Sequence, residues 1–199
     1  MTAQPPLLLA SSSPRRREIL NALGLQFSVQ AKEIDERPLP GESAEQLVLR
    51  LAEEKAGAAE CGPDDFVIGA DTVVVLEDDA LGKPADRDDA IAMLLSLSGR
   101  SHHVLTAVAL RGPAGVETAL SRTRVDFREI NRDEALAYWQ SGEPRDKAGA
   151  YGIQGLGGLF VSSIDGSYSG VVGLPVFETA GLLVKAGFEL LRMQKPYDG

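Results

Sequence analysis

The feature of this sequence that most constrains its fold is a steady alternation between strand-like runs and helix-like stretches. The helix-like stretches have apolar residues three and four positions apart, whereas the strand-like runs are short and mostly apolar. Strands are predicted at residues 7–10, 26–30, 66–76, 104–111, 117–127 and 159–164. Helices are predicted after Ser13, Ser43, Asp86 and Asn131, with a last one at residues 174–187. This alternation predicts an α/β fold, and a hairpin around Gly112 and Pro113 makes the sheet mixed.

The predicted helix starts rest on side chains that cap free backbone N–H groups. Ser43 with Gln46, and Asn131 with Glu134, have the spacing of a capping box. Asp86 precedes its helix in the same way. These residues fix where the helices begin more firmly than the apolar pattern does.

Composition places the chain among ordinary globular proteins. Its 199 residues are 44% hydrophobic and 25% charged, which allows a sizeable core and excludes collagen-like and disordered chains. No apolar run approaches the ~20 residues that a membrane span needs. Residues 1–9 lack the basic segment and the cleavage site of a signal peptide. We therefore expect a globular protein that is not secreted.

Charge and cysteine content limit the partners and the compartment. The formal net charge of −9 argues against a nucleic-acid partner, because proteins that bind the phosphate backbone are usually basic. Cys61 is the only cysteine, so no internal disulfide can form. A reducing cytoplasm is the expected location.

Residues 11–17 combine the features of an anion-binding site. A predicted strand ends in serines, among them Ser11 and Ser13, and turns directly into a helix whose free N–H groups favour anions. The hydroxyl groups add donors, and the guanidinium groups of Arg15 and Arg16 suit phosphate. A capped surface helix with a solvated basic patch is the alternative, and the residues alone leave both open.

Asp71 interrupts an apolar strand pattern, where an unpaired carboxylate is costly to bury. Gly69 and Ala70 precede it, and their small size lets another group approach closely. A carboxylate displayed from a sheet is a candidate metal ligand or general base. The alternative is a structural aspartate that is paired with a lysine.

Other polar residues add a weaker, joint signal. Glu36, Lys55 and Lys83 each fit a solvated surface charge, but together they suit metal-assisted attack on a polyphosphate. Gln154 ends a glycine-rich segment, and its amide offers a donor and an acceptor to the edge of a base. His102 and the histidine after it would face opposite sides of a strand, so we interpret both as structural.

Five motifs occur in a fixed order along the chain. They are ASSSPRR at residues 10–16, GADT at 69–72, GKP at 82–84, DKAGAYGIQG at 146–155 and VGLP at 172–175. Together they resemble the Maf family of nucleoside triphosphate pyrophosphatases, from about residue 7 to about residue 190. One such motif would be weak, but five in order make a specific match.

The resemblance implies both a fold and a reaction. The fold would be a single Maf-like domain over residues 1–199, related to the inosine triphosphate pyrophosphatases. It would have an elongated, twisted mixed sheet flanked by helices, with two lobes around a deep cleft. The reaction would be hydrolysis of a nucleoside triphosphate to the monophosphate and pyrophosphate, with Mg²⁺, Mn²⁺ or Co²⁺. Related proteins are often dimers, which leaves a homodimer open.

The resemblance also implies roles for individual residues. Asp71 matches the family's proposed proton acceptor, and Arg15, Thr72 and Gln154 match its specificity positions. We expect catalytic roles for Asp71, Glu36 and Lys83, and metal binding by Asp71 and Glu36. The expected substrate-binding residues are Ser11, Ser13, Arg15, Arg16, Lys55, Thr72 and Gln154.

The branch of the family can be predicted from two positions. Thr72 after Asp71, and the YGIQG run at residues 151–155, resemble the branch that cleaves dTTP and UTP. The 7-methyl-GTP branch usually has glutamine after the aspartate. Modified pyrimidine triphosphates are further candidate substrates. Two alternatives stay open, namely a regulator of cell division that binds nucleotide or nucleic acid without turnover, and a purine enzyme of the inosine triphosphate type.

Overall fold

The computed structural model describes residues 4–191, so residues 1–3 and 192–199 of the predicted domain lie outside the described residues. The contacts divide the described chain into two compact units. The first unit contains residues 4–71, 107–120 and 173–191, and the second contains residues 72–106 and 121–172. The single domain with a cleft between two lobes stays a prediction.

Helices and strands alternate along the described chain. The helices are α1 (Pro14–Ala22), α2 (Ala44–Ala58), α3 (Arg87–Leu97), α4 (Arg132–Gln140), α5 (Tyr168–Val172) and α6 (Val176–Lys185). The strands are β1 (Leu7–Leu9), β2 (Ser28–Val29), β3 (Phe66–Leu76), β4 (Asp79–Leu81), β5 (Ser101–Gly112), β6 (Gly115–Phe127) and β7 (Val161–Asp165). Short 3₁₀ helices lie at Glu143–Asp146, Ala148–Ala150 and Leu156–Phe160.

The strands form one seven-stranded mixed sheet in the order β2-β1-β3-β5-β6-β7, and β4 pairs with β3. β1 is parallel to both β2 and β3, whereas β4 and β7 are antiparallel to their partners. β5 and β6 are neighbours joined by two residues, which is the predicted hairpin. The predicted α/β class with a mixed sheet flanked by helices is confirmed.

The predicted helix caps are confirmed. The Ser43–Gln46 and Asn131–Glu134 capping boxes both form, and the Asp86 carboxylate accepts from the Asp89 N–H. Ser13 caps α1, and its side chain accepts from the Arg16 N–H. These starts were predictable because a cap depends on local side-chain chemistry.

Several predicted boundaries differ from the structure. The strand expected at residues 26–30 is only Ser28–Val29, since pairing to the short strand β1 limits its length. The strand expected from residue 159 begins at Val161, because Leu156–Phe160 forms a 3₁₀ helix. The closing helix begins at Val176 rather than residue 174, since Pro175 stands at its N-cap. β4 and α5 were not predicted.

Each unit has its own hydrophobic core. The first is built around Leu9, Ile68 and Leu183, and the second around Leu94, Val125 and Phe127. His102 is buried in the second unit, as predicted for a structural histidine, and its Nε2 lies 2.8 Å from the Tyr151 hydroxyl. Burial lowers the pKa of His102 to about 4, so its ring is neutral at physiological pH. No helix within residues 4–191 is long and apolar enough to cross a membrane.

Candidate active site

Parallel strands of the first unit bring the predicted phosphate and carboxylate residues to one edge. The register pairs Leu9 of β1 with Val29 of β2 and with Ile68 of β3. The Ala10 N–H then donates to the Ile68 carbonyl at 2.8 Å. β3 continues past this point, so Asp71 lies beyond the end of β1. The chain that leaves β1 therefore starts its turn beside the segment that leads to Asp71.

Lys55 holds two carboxylates at this edge. Its ammonium donates to Asp71 Oδ1 at 2.6 Å and lies 2.6 Å from Glu36 Oε1. The side chains of Lys55 and Asp71 are each 14% exposed, whereas that of Glu36 is 47% exposed. Asp71 thus has the lysine partner that the structural alternative expected. It also has a second carboxylate beside it, which that alternative did not expect.

Gly69 explains how Lys55 reaches Asp71. A Cβ at Gly69 would lie 2.2 Å from the Ala52 carbonyl oxygen and 2.7 Å from the Ala56 N atom. The backbone of α2 therefore lies directly on β3, as the small residues before Asp71 predicted. Gly69 and Asp71 are two positions apart on one strand and so point to the same face. This close packing places Lys55, which adjoins Ala56, over the carboxylate.

The corner between β1 and α1 is built from its own serines and arginines. The Ser13 N–H donates to Ser11 Oγ at 3.2 Å, and Ser13 caps α1. The Arg16 guanidinium donates to Ser11 Oγ at 3.1 Å and to the Gly173 carbonyl at 2.8 Å. Arg16 thus ties the corner to the VGLP motif. Arg15 lies in the same first turn of α1.

Arg16 lies within the field of the two carboxylates. Burial lowers the pKa of Arg16, and Asp71 and Glu36 oppose that shift, whereas neighbouring Arg15 adds to it. The structure therefore brings five predicted residues of the first unit together, namely Ser11, Arg16, Glu36, Lys55 and Asp71. The remaining two of that unit, Ser13 and Arg15, belong to the same corner.

Thr72 belongs to the second unit, where its hydroxyl forms a hydrogen bond with the buried Thr106. Thr72 Oγ1 lies 3.0 Å from Thr106 Oγ1, and the Thr106 hydroxyl donates to the Gly170 carbonyl at 2.8 Å. A hydroxyl has one proton and a carbonyl can only accept. The proton between the two threonines therefore comes from Thr72.

Lys83 and Gln154 also lie in the second unit, and both are exposed. A hydrogen bond holds the turn at Lys83. The N–H of Gly149 donates to the carbonyl of Gly82, the residue before Lys83, at 3.0 Å. Gly149 has φ +65° and packs on Val74, where a Cβ would lie 2.8 Å from Cγ2. The GKP motif and the glycine-rich segment are thus joined, as a shared function would require.

Three residues near the predicted site were missed by sequence reasoning, one that contacts Thr72 and two that bond to the glycine-rich segment around Gln154. They are Thr106, Glu143 and Tyr138. Tyr138 falls within the helix predicted after Asn131, and Glu143 precedes the glycine-rich segment without any cue of its own. Only the density of glycine at residues 149–158 indicated that a side chain approaches the backbone there.

The oxygen ligands that this edge offers to a divalent cation are the carboxylates of Asp71 and Glu36. No group of three or more His, Cys, Asp or Glu side chains within residues 4–191 could hold a metal ion. Mg²⁺, however, is usually bound by one or two carboxylates and completes its shell with water and substrate phosphates. Asp71 and Glu36, which share one ammonium, fit that pattern.

Comparison with known sequences decides the family. The sequence model described as Maf-like protein matches residues 6–186. The chain belongs to the Maf family. The match spans the β1–α1 corner, Lys55, Asp71 and the glycine-rich segment, so the predicted resemblance is confirmed.

Relatives within the Maf family are similar over nearly their whole length. A protein from Hahella chejuensis is 53% identical over 92% of this chain and 94% of its own length. One from Anaeromyxobacter dehalogenans is 54% identical over 94% of this chain and 96% of its own. One from Myxococcus xanthus is 53% identical over 94% of this chain and 95% of its own. All three are named dTTP/UTP pyrophosphatase.

Solved structures show a weaker likeness to this Maf chain. The Ham1 protein of Staphylococcus aureus has a TM-score of 0.44 and 16% identity, over 64% of this chain and 72% of its own. A nucleoside-triphosphatase, or dITP/XTP pyrophosphatase, from Mycobacterium abscessus has a TM-score of 0.43 and 17% identity, over 94% of this chain and 96% of its own. This similarity is too low to support a functional conclusion.

Proposed function

We propose that this chain is a pyrophosphatase that hydrolyses dTTP and UTP to the nucleoside monophosphate and pyrophosphate. The name shared by relatives at 52–54% identity supports this substrate class. The structural observation behind the proposal is the Asp71–Lys55–Glu36 cluster, which lies in the field of the cationic β1–α1 corner. Modified pyrimidine triphosphates belong to the same proposal.

We assign binding of the substrate's phosphate groups to the corner between β1 and α1. A triphosphate has about four negative charges, which a helix N-terminus and nearby arginines can compensate. Ser11, Ser13, Arg15 and Arg16 supply these groups on one turn, and Lys55 lies at the same edge. Against a net charge of −9, the positive potential must be local. Lys83 stays a predicted catalytic cation.

A divalent cation, Mg²⁺, Mn²⁺ or Co²⁺, would be held by Asp71 and Glu36. Two carboxylates and one ammonium leave one formal negative charge, which suits a cation and would repel an unaccompanied triphosphate. When bound, such an ion supplies charge neutralisation and polarises a phosphoryl oxygen.

The chain's own residues are assigned the proton transfer. Lys55 holds Asp71 by Oδ1, so we assign Oδ2 to accept a proton from the attacking water. The water oxygen forms a bond to the α-phosphorus. The bond from that phosphorus to the bridging oxygen of the β-phosphate breaks, and pyrophosphate leaves. Lys55 keeps the carboxylate oriented throughout.

Recognition of the substrate's pyrimidine base is assigned to residues of the second unit. Gln154 would pair with the edge of uracil or thymine, which presents carbonyl, N–H and carbonyl groups in order. Thr72, which matches a specificity position of the family, lies in the same unit as Gln154. We propose that these two residues reject cytosine.

Two further parts of the proposal concern the state of the protein. We place it in the cytoplasm, which the single cysteine supports because no internal disulfide can form. Cys61 itself is exposed, with its Sγ 2.7 Å from a nitrogen of Arg111. A homodimer stays a prediction.

A panel of purified triphosphates tests the proposed function. UTP, dTTP, CTP and ITP are incubated with the full chain and Mn²⁺, and pyrophosphate is measured. We expect UTP and dTTP to be cleaved, with CTP slower by roughly 10²-fold or more, because a mismatched edge leaves polar groups unpaired. Comparable rates on CTP and UTP would contradict the assignment. Binding without product would favour the regulator, and a preference for ITP would favour the purine enzyme.

A further inference from the structure

A carboxylate lies at the centre of the segment that contains Gln154. Glu143 begins the 3₁₀ helix Glu143–Asp146. Its carboxylate accepts hydrogen bonds from the N–H groups of Leu156 at 2.9 Å and Gly157 at 3.2 Å. It also accepts from the Tyr138 hydroxyl at 2.7 Å, and that hydroxyl accepts from the Gly152 N–H at 3.0 Å. Both ends of residues 152–157 are thus hydrogen-bonded to one pair of side chains, the Glu143 carboxylate and the Tyr138 phenol.

The glycines of this segment are required by the same pair. A Cβ at Gly155 would lie 2.3 Å from Glu143 Oε2, and one at Gly157 would lie 2.6 Å from the Tyr138 oxygen. Real Cβ atoms do not come that close to other heavy atoms. The backbone therefore wraps directly onto the carboxylate and the phenol, and glycine is the residue that permits it.

The pair itself is held firmly. Burial alone would raise the pKa of Glu143, but its three hydrogen bonds, from Tyr138, Leu156 and Gly157, and the charge of Lys147 together lower that pKa. Glu143 is therefore ionised at neutral pH, and its bonds to the backbone are charge-assisted. The Lys147 ammonium donates to the Glu143 carbonyl at 2.5 Å, which secures the 3₁₀ helix that presents the carboxylate.

Gln154 lies between the hydrogen-bonded residues, two positions from Gly152 and two from Leu156. We propose that Glu143 is a positioning residue that fixes Gln154 for recognition of the pyrimidine base. Glu143 acts through the backbone of residues 152–157 and does not itself contact the substrate. The inference rests on the proposed function, because it assigns Gln154 to the base. Sub-ångström placement matters here, since a small displacement in a positioned group can cost ~10²-fold in rate.

Glu143→Gln tests this inference, because it keeps the size of the side chain and replaces one acceptor oxygen by a donor. We expect amide hydrogen exchange at Leu156 and Gly157 to become at least ~10-fold faster. We expect the ratio of kcat/KM for UTP to that for CTP to fall by at least ~10-fold. Glu129→Gln is the matched control, since Glu129 is an exposed glutamate of the same unit. It should leave both quantities unchanged.

A double-mutant cycle separates positioning from general stability. If Glu143 acts through Gln154, then Glu143→Gln should not lower the UTP/CTP ratio further in a Gln154→Ala background. Additive losses would overturn the proposal, and so would unchanged exchange in Glu143→Gln. Faster exchange with an unchanged UTP/CTP ratio would also overturn it.

Two further measurements keep the outcome clear. Thermal unfolding shows whether Glu143→Gln folds. If it does not, Tyr138→Phe, which removes only the hydroxyl, takes its place and should give the same changes. If the unmodified chain cleaves neither UTP nor dTTP, the proposed function fails and with it the link to the base. The exchange measurement then still decides whether Glu143 holds the segment.

Discussion

At the scale of single residues, the main feature of the first unit is one ammonium group that two carboxylates share. Lys55 lies 2.6 Å from a carboxylate oxygen of Asp71 and 2.6 Å from one of Glu36. Asp71 and Lys55 are mostly buried, so water screens their interaction little. An aspartate kept in an apolar strand beside an ammonium is oriented more strictly than one on the surface. That orientation suits a group which must take a proton from a defined direction.

Asp71→Asn is expected to lower kcat for UTP by ~10²–10⁴-fold, because an amide cannot accept the proton of the attacking water. The fold should persist, since asparagine has the same shape and Lys55 keeps Glu36 as a partner. Turnover and thermal unfolding of the purified variant check both expectations. Asp64→Asn, at an exposed position of the same unit, serves as the control. Near-normal turnover in Asp71→Asn would refute the proton-acceptor role.

Residue chemistry was predictable where it depends on local pattern. Asp71 stood out because it interrupts an apolar strand, and Ser13 because it precedes a helix. The contact of Glu36 with Lys55 could not be predicted, since Glu36 lies in a loop whose path no pattern fixes. The bond from Arg16 to Gly173 joins residues that are 157 positions apart, which sequence spacing does not reveal.

At the scale of elements, the packing of α2 on β3 decides where Lys55 lies. Ala52 and Ala56 face Gly69, and all three are small enough for helix and strand backbones to touch. Small residues at a helix–strand contact shorten the distance between the elements. The ammonium group of a lysine on that helix therefore reaches a short aspartate on the strand.

Gly69→Ala is expected to lower both stability and turnover. Its Cβ would lie 2.2 Å from the Ala52 carbonyl oxygen, so α2 must move away from β3 and take Lys55 with it. Overpacking of this kind typically costs about 1–3 kcal/mol of unfolding free energy, which urea unfolding would measure. Gly57→Ala on the same helix has open space around it and should be neutral or slightly stabilising. Equal behaviour of the two variants would contradict this account of the packing.

The type of the long elements was predictable, whereas the length of several short elements was not. β3 was predicted over its full extent, because eleven mostly apolar residues leave little choice. The strand around Ser28 was overestimated, since its length is set by pairing with β1 and not by its own residues. Likewise, Gly157 and Gly158 allow a 3₁₀ helix in place of the first residues of a predicted strand.

At the scale of the whole molecule, the topology is set by long-range pairing. The strand order β2-β1-β3-β5-β6-β7 places β1 beside β3, although about 57 residues separate them in sequence. Alternation along the chain predicted the α/β class, yet many strand orders are compatible with it. The strand order is seen only in the structure, and it places the β1–α1 corner at the same edge as the segment that leads to Asp71.

Hydrolysis in ¹⁸O-labelled water tests the central claim most directly, since it reports which phosphorus the water attacks. UTP is turned over by the full chain in labelled water, and the products are analysed by mass spectrometry. Attack at the α-phosphorus predicts one labelled oxygen in the nucleoside monophosphate and none in the pyrophosphate. Label in the pyrophosphate, or formation of the nucleoside diphosphate and phosphate, would contradict the account.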